Sequence, residues 1–129
     1  MERHQAFASA IMGAGSPCRI HYSLFEDAGV PPELSQGLQW SSASQKEYED
    51  GQSLFTYTAL SRWYFDDFKS WIRLRSDDEI GWLSFHSITT DAIYSPYDGG
   101  AEAFSLDPTF IEDLGIEFTE WRSSHPRGL

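Results

Sequence analysis

The sequence predicts an α+β fold, in which an antiparallel sheet of four to six strands carries a C-terminal amphipathic helix on one face. Three observations lead to this prediction. Several short segments alternate apolar and polar residues with a period of two, which is typical of half-buried strands. The segment after Asp107 repeats its apolar residues with a helical period. The sequence contains no repeat, linker or low-complexity tract, so we expect residues 1–129 to form a single domain.

The first half of the chain predicts a weak helix, two strands and a short helix between them. The weak helix covers residues 2–12 and ends at the glycine-containing segment 13–17. The strands are residues 18–25 (CRIHYSLF) and 53–60 (SLFTYTAL), in which apolar and polar side chains alternate. Between the strands, residues 41–50 (SSASQKEYED) predict a short helix, because serines near its start can cap it and a glycine follows its end.

Two segments interrupt this pattern. Residues 26–37 (EDAGVPPELSQG) predict a loop, because Pro31 and Pro32 disfavour regular structure. Residues 61–65 (SRWYF) fit either a continuation of the second strand or the start of a helix.

The second half predicts a hairpin and two further strands. Residues 70–75 (SWIRLR) and 82–88 (WLSFHSI) both alternate, and the polar segment SDDEIG separates them as a turn would. Residues 90–95 (TDAIYS) and 101–106 (AEAFSL) predict two short strands. They flank the turn YDGG, where the two glycines can take positive φ.

The final helix has the clearest pattern. Asp107 is a good N-cap, and Pro108 suits the first helical turn. The apolar residues fall within roughly 100° of arc at ~100° per residue, and the acidic residues face the other way. Gly115 weakens the helix by about 1 kcal/mol. The apolar residues that we expect to pack are Phe110, Ile111, Leu114, Phe118 and Trp121.

Charge limits the classes of partner. The net charge is −11, which disfavours direct binding to nucleic acid or to an anionic membrane. Eleven acidic residues lie between Ser76 and Glu120 without a Lys or Arg among them, whereas four bases precede them between Arg62 and Arg75. Such a tract is typical of a solvated surface, and also of one that attracts a basic partner.

The expected compartment is the cytoplasm. The N-terminal segment does not resemble a signal peptide, and no apolar run reaches the ~18 residues of a membrane span. Cys18 is the single cysteine, so an intrachain disulfide is impossible, and we expect it to pack as a small hydrophobe.

The residues indicate no metal or cofactor. The four histidines lack metal-ligand spacing, and Cys18 and His21 point to opposite faces of a strand. No phosphate-binding glycine motif is present. We therefore expect neither a metal nor a cofactor.

Three constellations could support catalysis. Ser84, His86, Ser87 and Asp91 supply the residue types of a hydrolase triad, although no strained G-x-S-x-G turn exposes a serine. A ribonuclease-like cluster would combine His21, His86 and Arg73, and a carboxylate pair would combine Asp66 and Asp67. The enzyme hypothesis that remains is a small hydrolase-like enzyme with its site near His86, Asp91 and Tyr97.

Partner binding is the interpretation that the sequence favours. Aromatic residues make up 16% of the chain and can anchor an interface, while acidic residues steer a basic partner toward it. We expect an immunity or antitoxin protein that occludes the site of a basic toxin, such as a nuclease or another polymorphic toxin. A phage-type inhibitor that mimics the charge of nucleic acid is a further alternative. The residues predicted to bind the partner are Asp91, Asp98, Glu102, Asp113, Ile116, Glu117 and Glu120.

Three segments of the chain carry a resemblance: RWYFDDFKSW, SFHSITTDAIYSPYDGGAEAF and the ending WRSSHPRGL. They resemble a family of small uncharacterised bacterial proteins. Its members end in a Y-D-G-G turn, an amphipathic helix and a W-x-S-S-H-P-x-G-L tail. The resemblance covers the C-terminal half from Arg62 and implies a bacterial origin. It is compatible with an immunity role and brings no known activity.

Overall fold

The computed structural model describes residues 1–35, 37–98 and 100–119. In these ranges the chain forms an open six-stranded antiparallel sheet and four helices, so the predicted α+β class is confirmed. The elements in chain order are α1 (Glu2–Met12), β1 (Pro17–Leu24), α2 (Pro32–Ser35), β2 (Ser41–Glu47), β3 (Ser53–Arg62), α3 (Phe65–Ser76), β4 (Trp82–Ser87), β5 (Ile93–Tyr97), β6 (Gly100–Phe104) and α4 (Pro108–Glu117). Within the described ranges, no helix is long and apolar enough to cross a membrane.

The strand order β2-β3-β1-β4-β5-β6 places the first strand inside the sheet. Both neighbours of β1 run antiparallel to it, so β3 and β4 run parallel to each other and α3 connects them. The register sets Ile20 of β1 between Ala59 of β3 and Phe85 of β4. Hairpins then add β5 and β6 at one edge, and β2 pairs with β3 at the other.

The core lies between one face of this sheet and the helices. Alternate residues of β1 and β4 are buried, as the period-two pattern predicts. Trp63 is fully buried between the sheet and α3, where its ring lies 5.0 Å from that of Phe85 and 5.6 Å from that of Phe68. The N-terminal helix closes the same layer through Phe7, whose ring packs edge-on at 5.3 Å against Phe118.

The prediction of a helix over residues 41–50 is wrong, since Ser41–Glu47 forms the edge strand β2. All seven residues of this strand are exposed, so no hydrophobic alternation marks it in the sequence. Backbone pairing with β3 supplies the stabilisation that the side chains do not, and tertiary context overrides local propensity.

The prediction of a strand over residues 70–75 is also wrong, because this segment forms the second half of α3. The buried residues have helical spacing; they are Phe68, Trp71, Ile72 and Arg75. The segment SWIRLR alone is too short to distinguish the strand period of two from the helical period of 3.6. The adjoining SRWYF segment contains both alternatives, since β3 ends at Arg62 and α3 begins at Phe65. The predicted loop also contains the single turn α2, where Pro32 occupies the first helical position.

The final helix is confirmed in its start and in its packing. The Asp107 carboxylate accepts hydrogen bonds from the backbone N–H of Thr109 at 3.0 Å and of Phe110 at 3.4 Å. Leu114 and Phe118 are buried, whereas Ile111 lies at the exposed edge of the apolar stripe. Trp121, the last predicted core residue of this helix, lies outside the described residues.

Candidate functional site: the bare face of the sheet

The face of the sheet opposite α1 and α3 is exposed or half-exposed. Because β-strand side chains alternate, this face collects the polar set from each strand pattern. The register places Arg19 opposite His86, His21 opposite Ser84 and Ser23 opposite Trp82. We call the surface formed by these six residues and their neighbours on β3 and β5 the bare face.

An aromatic cluster lies at one end of the bare face, where β1 ends and β4 begins. The ring of Phe25 packs edge-on against Trp82 at 5.3 Å and against Tyr48 at 5.7 Å. Their exposed fractions are 39% for Phe25, 39% for Tyr48 and 51% for Trp82. The ammonium group of Lys46 lies 5.2 Å from the centre of the Tyr48 ring. We call Phe25, Tyr48 and Trp82 the aromatic cluster.

A histidine cluster occupies the other end of the bare face. The His86 Nε2 lies 2.5 Å from the Asp91 Oδ1, and the rings of His86 and His21 are 6.3 Å apart. Burial lowers the pKa of His21, and the neighbouring His86 and Arg19 lower it further. In the described part of the chain, the Arg19 guanidinium forms no ion pair. The cluster therefore combines an oriented imidazole, a second imidazole and an unpaired cation.

Asp91 reaches His86 through an unusual backbone conformation. Its φ is +61°, in the left-handed region that aspartate tolerates better than most residues. Its N–H donates to the Ser87 carbonyl at 2.9 Å, which closes the turn between β4 and β5. The turn therefore holds the carboxylate next to the imidazole.

An open pocket of about 440 Å³ adjoins this pair. His86 and Asp91 form its polar side, and Ile93, Phe104, Leu106 and Ile111 form its apolar walls. The pocket thus lies between the bare face, the end of β6 and the start of α4.

The structure separates most of the predicted catalytic groups. Ser84 and His86 share the bare face, but Ser87 is buried on the opposite one. Tyr97 lies four residues along β5 from Ile93, which pairs with His86, so roughly 13 Å of strand separates Tyr97 from the histidine cluster. No hydrogen bond in the described part of the chain joins Ser84 to His86.

The ribonuclease-like set is brought together only in part. His21 and His86 are neighbours, as that reading requires, but Arg73 is on α3, which packs on the opposite face. The cation beside the two histidines is Arg19, which the sequence reasoning did not single out. Arg19 and His21 occupy alternate positions of β1, opposite the SFHS segment of β4. This alternation is the sequence feature from which Arg19 could have been predicted as part of the site. Asp66 and Asp67 are both exposed in the first turn of α3.

The residues predicted to bind a partner occupy several places. Asp91 and Asp98 lie at opposite ends of β5, and Glu102 is half-buried on β6. Asp113, Ile116 and Glu117 are exposed on α4, where Ile116 has an exposed fraction of 72%. Glu120 lies outside the described residues.

Two further titratable side chains have structural surroundings. Burial raises the pKa of the Cys18 thiol to about 11, so this cysteine is not an activated nucleophile. His4 lies between the Tyr94 hydroxyl at 2.6 Å and the Ser76 hydroxyl at 3.2 Å, and burial lowers its pKa. His4 thereby ties the start of α1 to β5 and to the end of α3. Over the described ranges, no group of three or more His, Cys, Asp or Glu side chains could hold a metal ion.

These features define an α+β domain with an open antiparallel sheet, helices on one face and a bare opposite face. The chain belongs to the family described as Domain of unknown function (DUF3885), whose sequence profile matches residues 1–126. The expectation of an uncharacterised family is confirmed, and the match covers nearly the whole chain. No curated protein and no solved structure matches the chain.

Proposed function

We propose that this chain is a protein-binding domain that neutralises a basic bacterial toxin, acting as a cytoplasmic immunity or antitoxin protein. The observation that carries the proposal is the aromatic cluster on the bare face. The bacterial origin implied by the resemblance and the cytoplasmic location are parts of the same proposal.

The aromatic cluster has the properties of an interface anchor. The ring of Phe25 contacts those of Tyr48 and Trp82, yet all three remain 39–51% exposed, so together they present roughly 200–300 Å² to solvent. An exposed apolar patch that polar residues surround is often functional. Tyr and Trp are also the residues that most often dominate binding energy when a partner covers them.

The rest of the bare face can extend the contact. A stable interface covers about 800 Å² on each partner, so the cluster would supply its centre and not its whole area. Toward the other end of the sheet the bare face exposes Leu60, and Phe104 is exposed on β6 beyond it. Thr56 and Ser23, whose hydroxyls lie 2.9 Å apart, provide polar groups between the apolar ones.

The charge of the chain favours a basic partner. A net charge of −11 accelerates the encounter with a cationic protein and repels acidic competitors. The exposed acids of α4 lie outside the sheet, where they would act as steering charges at the rim. A toxin that binds nucleic acid carries the complementary charge, and covering its phosphate-binding surface would neutralise it.

The test is affinity purification of the full chain from its native host, followed by mass spectrometry. Wild type, Trp82→Ala and Tyr64→Ala are compared; Tyr64 is a matched control because it is 49% exposed and makes no contact with the aromatic cluster. We expect one basic protein that is retained by wild type and by Tyr64→Ala and is lost with Trp82→Ala.

Expression of the captured protein then tests neutralisation. It should arrest growth when expressed alone, and co-expression of wild type should restore growth. A partner that Trp82→Ala retains as well as wild type would contradict the proposed surface, and a partner that is harmless when expressed alone would contradict the toxin-neutralising role.

A small enzyme is the second candidate, and the contact between His86 and Asp91 favours it. A carboxylate that accepts the imidazole N–H orients the ring for proton transfer, and Arg19 could stabilise developing negative charge. Turnover of small ester and phosphodiester substrates by wild type but not by His86→Gln would support this candidate. Equal rates for the two proteins would leave it without support.

A further inference from the structure

The pocket beside His86 has an uneven distribution of charge. Asp91 is the only acidic side chain and His86 the only basic one among the residues that line it, and the remaining walls are almost entirely apolar. The Asp91 side chain is 65% exposed, and its Oδ1 faces His86. Within the described ranges, no donor lies within hydrogen-bond distance of its Oδ2. A carboxylate oxygen is therefore available at the edge of an apolar pocket.

We propose that this pocket binds a lysine or arginine side chain of the basic partner, so that the inference rests on the proposed function. The apolar stem of such a side chain would lie along Ile93, Phe104, Leu106 and Ile111, and its cationic group would reach Asp91. A long basic side chain carries both parts of this chemistry, and a neutral apolar side chain would leave the carboxylate without a partner.

The charges around the pocket favour a cation over an anion. Asp91 is the only carboxylate among the lining residues, so an anion in the pocket would be repelled by it. Arg19 and His21 could attract an anion, but they lie on the far side of His86 and do not line the pocket. The acidic balance of the whole chain adds to the same preference.

The backbone holds Asp91 where the cation would need it. Its left-handed conformation, with φ of +61°, is fixed by the hydrogen bond from its N–H to Ser87. His86 holds one carboxylate oxygen, which leaves the other to a ligand. The site is thus ordered before a partner arrives, and this reduces the entropic cost of binding.

The pocket can be tested on the protein alone, with three small molecules that share a butyl chain and end in a planar polar group. Butylguanidinium carries the positive charge, pentanamide is its neutral counterpart and pentanoate is the anionic one. Each is titrated into the isotope-labelled full chain at about pH 8, where the guanidinium and the carboxylate probes are both fully charged, and backbone amide shifts are recorded by NMR. We expect butylguanidinium to shift the amides of Asp91, Phe104 and Leu106 and to bind more tightly than the other two.

Substitution identifies the group that selects the charge. Asp91→Asn should weaken butylguanidinium binding about three- to five-fold, the upper part of the range for an exposed ion pair. Asp98→Asn is the matched control, because Asp98 is an exposed acid at the opposite end of β5 and should leave the affinity unchanged.

Three results would overturn the proposal: pentanoate binding as tightly as the cation, Asp98→Asn weakening binding as much as Asp91→Asn does, or an absence of shifts at the pocket. All three leave the partner-capture experiment with Trp82→Ala untouched. Failure of the pocket can therefore be distinguished from failure of the proposed function.

Discussion

Replacement of Trp63 by alanine should destabilise the fold by about 3–5 kcal/mol, because its side chain fills the centre of the core. Trp63 has an exposed fraction of 1%, and its ring contacts Phe68, Phe85 and Tyr94 at centroid distances of 5.6, 5.0 and 6.1 Å. Each aromatic pair adds about 0.5–1.5 kcal/mol beyond the burial of area. The expected loss of stability therefore lies in the upper half of the range of about 3–5 kcal/mol. With a typical denaturant slope, the urea midpoint should fall by roughly 2 M.

The matched control for this substitution is Trp82→Ala, which removes the same side chain from the bare face. Because Trp82 is 51% exposed, the loss of burial amounts to about 1–2 kcal/mol. Unfolding should be followed by far-UV circular dichroism, since both variants change the tryptophan fluorescence. A midpoint shift for Trp63→Ala no larger than that for Trp82→Ala would refute the packing of the helices and the sheet around Trp63.

Three further predictions address titration, reactivity and association. Because the pKa of His4 is lowered in the folded protein, the folded state binds a proton at His4 less readily than the unfolded chain does. The stability that His4 contributes is therefore fully present above pH 6.5 and falls as the pH drops toward the lowered pKa. The decrease in urea midpoint between about pH 7.5 and pH 5.5 should be smaller in His4→Gln than in wild type, and the decrease that remains should include a contribution from His21. Cys18 should resist iodoacetamide in the native protein at about pH 8 and react after unfolding, and rapid labelling of the native state would show that the thiol is not buried. Replacement of three acids, Asp113, Glu117 and Glu120, by lysine should slow association with a basic partner, most strongly at low salt, as stopped-flow measurements would show. An association rate that changes neither with salt nor with this charge reversal would exclude electrostatic steering by the three acids.

Local patterns predicted those parts of the fold that depend on buried faces. The strand around Ile20 and the helix after Asp107 each bury one face, so their periodicity is present in the sequence and their elements follow from it. The strand Ser41–Glu47 buries neither face and is held in the sheet by backbone pairing with β3. Its sequence therefore has no alternation of apolar and polar residues from which a strand could be predicted. The segment SWIRLR is too short to distinguish a period of two from one of 3.6 without the buried Phe68 before it.

The candidate site was less accessible to sequence reasoning because it depends on strand order. His86 and Asp91 are near in sequence and belong to one predicted hydrolase-like site, and the structure does bring them into contact. Arg19 becomes their neighbour only because β1 is inserted between β3 and β4. Phe25 meets Trp82 and Tyr48 for the same reason, and Tyr48 lies in a segment for which the sequence predicts a helix.

The most direct test of whether the bare face is the binding surface is to measure by calorimetry how tightly the captured partner binds wild type, Trp82→Ala and Tyr64→Ala. If the bare face is the binding surface, Trp82→Ala should weaken binding by at least about 2 kcal/mol, or roughly 30-fold, as removal of a central aromatic anchor does. Tyr64→Ala should bind as wild type does. Equal affinities for wild type and Trp82→Ala, with both proteins folded, would show that the partner does not bind the bare face.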